Sequence, residues 1–590
     1  MDQFYLTHPV AAVARAIETL CLYRSNSHSL PVKTACFFTN RILGVTAFPL
    51  ALTAELFLKR LPRLAMAPIS FRADPVLGPA KWESRLDKVK KFALGILFTP
   101  LNLYNPSALS GFFLKNPPSP QEIRPFGVEE IYGKKVDQIY YPSTVEEVQN
   151  LVLKAKQEKK QISVIGAGMS QGPQTIPTES QGIAINMKFL NQISFGGDGT
   201  TVTAQSGAVW EKIQAEADLR GKSVIVKQAS DIFSVGGSIG INCHGWAHDW
   251  GSIASTVESI DIIDAEGRLR TLTPQDEEFG CFFGTLGYFG IVVNAKLKLA
   301  ENEYLFERTT VVPLDQFTEE YEQNIKGKDI PLFGGRLILD PLDGSPLREV
   351  YMVRYEKDPI HSLEKPLPSF AKESEKGTRI ERMALQAIGL LPLKYEKSLI
   401  SSFWHREATR MLKGGKIARN EALHPPIKAF NMLRHSRVHT QWLQEYFIKK
   451  ENLPNFLRFL GSELKANDVR LINATIRPTP KDSISVLPYA EQDRYAVVLS
   501  FSQTKTDKEI AITKSWMRRV HDYVISSGDR YYQAYMPFAT QADFEKAYGQ
   551  ETVDRLRSLK QKYDPEHRFG NGHTAKYFDV QPQSPQSEEI

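Results

Sequence analysis

Glycines set behind short apolar runs constrain this chain more than any other feature. Gln161–Gly172 reads QISVIGAGMSQG and Ser234–Gly245 reads SVGGSIGINCHG. Glycine has no Cβ and adopts positive φ readily, so such loops turn N–H groups toward an anion or let backbone lie against something large and flat. The first loop follows Ile162–Ile165, an apolar run that reads as a buried strand. Strand followed by glycine loop is an arrangement that cradles phosphate. A Walker loop would end in Gly-Lys-Ser/Thr, and Gly166-Ala-Gly168-Met-Ser-Gln-Gly172 is one residue too long for the Rossmann fingerprint. Taken alone, the loop fits a structural turn as well as a cofactor site.

The second loop and a third element narrow the choice. Ser234–Gly240 leads into Ile241-Asn-Cys-His-Gly245, then Gly251, then a strand over Val257–Asp264. Phe282-Phe-Gly-Thr-Leu-Gly-Tyr-Phe-Gly290-Ile-Val-Val293 closes the series. In this order, over roughly Lys135–Ala300, the motifs resemble the flavin-binding domain of the vanillyl-alcohol-oxidase and para-cresol-methylhydroxylase superfamily, and Tyr140–Val148 resembles the start of that domain. The resemblance implies FAD as cofactor. It places the pyrophosphate at the first loop, on Ile165, Gly166, Ala167, Gly168, Met169, Ser170 and Gln171. It places the ribityl chain and isoalloxazine along the second loop, on Val235, Gly236, Gly237, Gly240, Asn242, His244 and Gly245, with Gly207 and Ser230 also expected to bind the cofactor. Gly290, Ile291 and Val292 would reach the adenine side.

Length and composition bound the rest. A chain of 590 residues is too long for one ordinary core and implies two or three domains. With 42% hydrophobic and 24% charged residues the composition is that of a globular protein. The net charge of +6 is small for the length, and Lys and Arg are dispersed, which argues against nucleic acid as a partner. Cys21, Cys36, Cys243 and Cys281 are too scattered for a disulfide framework or a zinc site, so no metal is expected. The start of the chain has neither a basic n-region nor a small-residue cleavage site, so a secretory signal is not expected.

Residues 1–115 differ from the remainder. Ile42–Leu58 is apolar but contains Pro49 and Glu55, and Lys59, Arg60 and Arg63 follow it. A spanning helix wants about twenty apolar residues, and a central carboxylate is costly there. A second run, Phe92–Leu103, is broken by Pro100. Two readings fit: a helical extension packed on the main body, or an apolar segment with a basic flank lying on a membrane surface. The expected localisation is accordingly cytoplasmic or peripheral on a membrane. The Pro-rich stretch Asn116–Pro125 reads as a linker.

The expected fold class is α+β: an FAD-binding domain of two lobes over residues 130–302, a substrate domain on an antiparallel sheet over 303–578, and a disordered tail over 579–590. Tyr304–Tyr355 alternates apolar and polar residues in places, Trp442–Phe447, Val469–Arg477 and Tyr495–Phe501 read as strands, and Glu451–Lys465 and Glu509–Ser526 as helices. Pro359–Leu391 reads as a surface loop. Gln444-Glu-Tyr-Phe447, Ile472–Arg477, Leu487–Ala490, Asp529–Tyr535 and Lys562–Phe569 together are similar to bacterial FAD-dependent oxidoreductases near the aldonolactone and decaprenylphosphoryl-ribose oxidases. That second resemblance implies a substrate domain over the flavin and a chain end that returns to it.

Oxidising an alcohol carbon needs an acceptor for the electron pair and a base for the hydroxyl proton. His244 matches a family His-Gly beside the isoalloxazine. Many relatives tether FAD through a histidine in the first loop; this chain has Met169 there, so dissociable FAD is expected. Relatives carry a lysine in the element matching Asp529–Met536, whereas this chain has Tyr535. With a reference pKa near 10, a phenol is a poor unassisted base. Arg477 offers a planar fork of donors to an anion or a flavin carbonyl; for Arg494 a surface salt bridge is the better reading. Asn571 resembles a family residue that approaches the flavin from the C-terminus, and Cys243 reads as a small buried thiol. The function these features imply is FAD-dependent oxidation of a CH–OH group of a sugar, lactone or lipid-linked polyol, with the electron acceptor open. A sterol-type reductase of a C=C bond and a catalytically decayed flavoprotein scaffold are the alternatives.

Overall fold

The computed structural model describes residues 138–178, 182–337, 347, 349–357, 404–423, 439–504 and 506–579. The expected extension 1–115, the linker Asn116–Pro125, the loop Pro359–Leu391 and the tail beyond Asp579 lie outside the described residues.

The flavin-type domain begins with a parallel sheet of β1 (Gln138–Tyr140), β2 (Ile162–Ile165) and β3 (Ile183–Asn186), in the order β1-β3-β2. Helix Val145–Glu158 packs Val148, Val152 and Ala155 inward, one face at helical spacing. Its start is written locally: Thr144 Oγ1 accepts from Glu147 N at 3.1 Å, and the Glu147 carboxylate accepts from Ser143 N at 2.6 Å. The second lobe is antiparallel, built from β4 (Ile193–Phe195), β5 (Thr201–Gln205), β6 (Lys222–Val224), β7 (Val257–Ile263), β8 (Leu269–Leu272) and β9 (Ile291–Glu301). They run in the order β4-β5-β9-β7-β8, with β6 paired to β9. The strand read before the first glycine loop and the strand read after Gly251 are therefore present as β2 and β7.

The second glycine segment is not an extended loop. Val235–Gly240 forms a short helix whose N-cap Ser234 accepts from Gly237 N at 3.4 Å. Val235 and Ile239, one turn apart, are both buried. A good N-cap and one pair of apolar anchors outweigh three glycines here.

The second half of the described chain carries an eight-stranded antiparallel sheet in the order β13-β10-β12-β11-β15-β16-β14-β17. Its strands are β10 (Tyr304–Pro313), β11 (Leu332–Leu337), β12 (Glu349–Lys357), β13 (Gly415–Ala418), β14 (His439–Ile448), β15 (Arg470–Thr479), β16 (Arg494–Thr504) and β17 (Arg530–Tyr531). Helices Leu453–Ala466 and Asp507–Ser526 cover one face through Phe456, Leu460, Trp516 and Val520. The register sorts the other face. Leu443 pairs with Ser500 and Glu445 with Val498, while Ser500 pairs with Asn473 and Ala496 with Arg477. Because side chains alternate with period two, Gln441, Leu443, Glu445, Ser500, Asn473 and Arg477 share a face. That face looks toward the glycine loops.

The chain's end returns to the flavin-type domain, as the second resemblance implies. Ile162 N donates to Arg568 O at 2.7 Å and Gly570 N to Ile162 O at 3.0 Å, so residues 568–570 run along β2.

Candidate active site

Where the two domains meet, a cleft opens whose empty space, its mouth included, is about 1880 Å³. One wall is the first glycine loop with Ser206, Gln228–Ser230, the helix Val235–Gly240, His244 and Leu286–Val292. The other is the polar sheet face, with Tyr532 and Tyr535 from the segment after β17.

The glycines are required by close approach. A Cβ on Gly166 would lie 2.3 Å from Ser234 Oγ, one on Gly236 2.7 Å from Ser206 Cβ, and one on Gly290 2.8 Å from Ile263 O. Gly168 adopts φ +70°. The segments thus press together into a continuous backbone cradle, which side chains would fill. Two polar atoms at this wall and its opposite, Ser206 Oγ and Arg477 Nε, are buried without a partner among the described residues. A backbone trough with buried donors fits a long, flat, anionic dinucleotide.

Two glutamines join the walls. Gln171 Nε2 donates to Gln441 O at 3.2 Å while its Oε1 accepts from Leu443 N at 2.9 Å, so its amide mimics a peptide on β14. Gln174 donates to Tyr535 O at 2.8 Å and accepts from Gly172 N at 2.9 Å. Gln171 lines the cleft as expected, yet its amide is spent on holding the first loop to the sheet.

At the centre, His244 Nε2 lies 2.5 Å from Glu445 Oε1, both side chains being buried. Tyr535 OH donates to the other carboxylate oxygen at 3.2 Å. Aromatic rings wall the pair: Phe447 stacks on Tyr489 at 4.1 Å, and Phe447, Tyr489 and Tyr532 all lie within 6.2 Å of the His244 ring. Burial raises the Tyr489 and Tyr532 phenols well above the ordinary tyrosine range. It also pushes the Cys243 thiol up to about 12, so Cys243 is inert near neutral pH.

Of the residues expected at the site, Gly166, Ala167, Gly168, Met169, Ser170, Gln171, Ser230, Gly236, Gly237, Gly240, His244, Gly290, Ile291, Val292, Arg477 and Tyr535 line the cleft. Ile165, Gly207, Val235, Asn242, Gly245 and Asn571, also expected there, do not line it. Asn242, at φ 50°, donates to Asp482 at 2.8 Å and ties the second segment to the loop after β15. Asn571 caps the helix Gly572–Tyr577 and donates to Leu286 O at 3.0 Å. His248 bonds Tyr321 and Ile330 away from the cleft, and Asp261 accepts from Thr271 and Asn294 within the second lobe. Arg494, expected in a surface salt bridge, is instead buried, donating to Asp529 at 2.9 Å and to Phe447 O at 3.0 Å; the ion pair is structural but lies inside the fold. Sequence reasoning missed Glu445, Asn473 and Ser500. The available signal was a carboxylate inside the apolar strand Trp442–Phe447, where an acid needs a partner or a task.

Residues 136–273 match the FAD binding domain family, and residues 348–577 match the D-arabinono-1,4-lactone oxidase family. These two matches, one after the other along the chain, mark an FAD-dependent oxidoreductase. It is similar to L-gulonolactone oxidase of Bos taurus, 22% identical over 76% of this chain and 96% of the relative. Decaprenylphosphoryl-beta-D-ribose oxidase of Mycolicibacterium smegmatis is 29% identical over 24% of this chain and 32% of its own. D-arabinono-1,4-lactone oxidase of Candida glabrata is 26% identical over 32% of this chain and 37% of its own. Within this FAD-dependent oxidoreductase, no cluster of metal-ligating side chains occurs among the described residues, and none of their helices is long and apolar enough to cross a membrane.

Proposed function

We propose that this flavoenzyme oxidises a CH–OH group of a sugar, lactone or lipid-linked polyol, with FAD held noncovalently. The observation that carries the reading is the polar sheet face, with Glu445, Asn473, Ser500 and Arg477, set opposite the glycine cradle and beside His244 and Tyr535. Polar groups converging on one side of a cofactor trough suit a polyhydroxylated substrate better than a sterol. FAD, when bound, accepts the two electrons of the oxidation. The first loop, the helix Val235–Gly240 and Gly290–Val292 would hold it. Arg477, with a free buried Nε, would hold an anionic or carbonyl oxygen across the cleft. Met169, a thioether, cannot make the bond that a histidine ring nitrogen would make to the cofactor.

The purified protein is expected to be yellow and to release its FAD into the supernatant on acid precipitation; colour remaining in the pellet would overturn the noncovalent reading. Under anaerobic conditions an aldonolactone, an alditol or a lipid-linked sugar should bleach the bound flavin. If no CH–OH compound of these classes does so, the reading fails. Residues 1–115 would hold the enzyme at a membrane surface. Removing them should move it to the soluble fraction, and a truncated chain that stays wholly with membranes would count against that assignment.

A further inference from the structure

We infer that Glu445 is the proton acceptor of this site, acting through Tyr535, with His244 completing the relay. The inference rests on the CH–OH oxidation proposed above. Tyr535 is the partly exposed member of the trio and stands in the cleft wall, so its phenol is the group that meets a substrate hydroxyl. A phenol alone holds its proton too tightly to accept another at neutral pH. Its OH, however, already donates to Glu445 Oε2 at 3.2 Å, so a base stands behind it. Glu445 is buried on β14, and a buried carboxylate persists only when paired. His244 supplies that pairing at 2.5 Å, on the oxygen that Tyr535 leaves free.

The groups around the trio leave few other places for the proton. Cys243, beside His244, is held as a thiol, and Tyr489 and Tyr532 are held as phenols, all by burial. Tyr489 spends its OH on Asn242 O at 2.8 Å and Tyr532 its OH on Ile241 O at 2.6 Å. From β15, Arg477 adds a fixed positive charge to the cleft, and β16 faces it with Val498 and Ser500, which carry none. Glu445, held by His244, is the carboxylate within hydrogen-bond reach of the Tyr535 phenol.

The substrate hydroxyl gives its proton to the Tyr535 oxygen as the Tyr535 proton passes to Glu445 Oε2. The carbinol hydrogen and its bonding pair would go to FAD when that is bound, and a carbonyl would form. The Glu445–His244 pair ends one proton richer. Since that pair must be without the extra proton at the start, flavin reduction should speed up as pH rises through an acid limb.

The test compares the full-length holoenzyme with Glu445→Gln and Tyr535→Phe variants. Both should retain bound FAD, and both should slow anaerobic flavin reduction by roughly 100-fold or more, with substrate affinity changed only about threefold. The double variant should be no slower than the slower single one, because both act on one proton path. Glu445→Asp should recover part of the rate together with the acid limb, which a merely structural glutamate would not do. A second readout needs no turnover: the visible spectrum of bound FAD should shift with pH in the wild type and stay constant in Glu445→Gln. Glu445→Gln or Tyr535→Phe reducing FAD within about threefold of wild type, or the acid limb persisting in Glu445→Gln, would overturn the relay. If no CH–OH compound reduces even the wild type, the parent reading has failed instead, and the spectral titration still reports whether Glu445 titrates beside the cofactor.

Discussion

Gly245→Ala is expected to yield a destabilised protein that purifies with little or no FAD. A Cβ at this position would lie 2.3 Å from Lys227 O and 3.4 Å from Lys227 C, both backbone atoms that no rotamer change can move aside. Relief requires the segment around Lys227 to separate from the one carrying His244. The first of these segments supplies Gln228, Ala229 and Ser230 to the cleft, and the second supplies His244 itself. Overpacking of a tight backbone contact costs about 1–3 kcal/mol, and the absence of any flexible neighbour argues for the upper end. Urea unfolding monitored by fluorescence, with flavin content read from absorbance, would measure both effects. A variant with full FAD and an unchanged midpoint would show that the cradle tolerates a side chain there.

Lys560→Met should cost about 3–5 kcal/mol, the largest single-residue loss of stability expected outside the cleft. Lys560 is fully buried and donates to Phe569 O and Asp564 Oδ2, each at 2.7 Å, and to Tyr288 O. It also lies 3.9 Å from the centre of the Tyr288 ring. One ammonium thereby joins three stretches: the helix Gln550–Tyr563, the third glycine segment and the returning C-terminus. Methionine would keep the volume but leave the fully buried Asp564 carboxylate with only the Arg568 and Phe569 amides as donors, at 3.0 and 2.9 Å. Residues 568–570 should then leave β2 more often, detectable as faster proteolysis near the C-terminus and a lower urea midpoint. Adding Asp564→Asn should recover part of the loss, because the uncompensated charge is its main cause. A Lys560→Met protein as stable as wild type would show that the clamp is dispensable.

Much of the scaffold was legible from the chain because its signals are local. Ile162–Ile165 is a strand with the bounds its apolar run implies, and β14, β15, β16 and the helices Leu453–Ala466 and Asp507–Ser526 fall where their periodicities put them. The glycine segments declare themselves because a missing Cβ is written in the residue type. The short helix Val235–Gly240 was hidden for the converse reason: its glycines argue against helix, and only the burial of Val235 and Ile239 against the lobe makes it form.

The composition of the site was less legible. Glycine positions by themselves marked the segments that pack backbone to backbone, and the family resemblance carried by those motifs in their order implied that they hold a flavin, with Met169 where relatives have a tether histidine. Tertiary structure alone decided what stands opposite. His244 and Glu445 are 201 residues apart in sequence, and Tyr535 is 90 beyond Glu445. Their meeting depends on the register of an eight-stranded sheet and on the docking of that sheet against the flavin-type domain. A one-residue slip of β14 would turn Glu445 toward the helices and bring Gln444 or Tyr446 to the cleft. Local residue patterns carry information about backbone conformation. Which side chains converge across a cleft is set by long-range pairing, whose energy comes from burying whole faces rather than from any one motif.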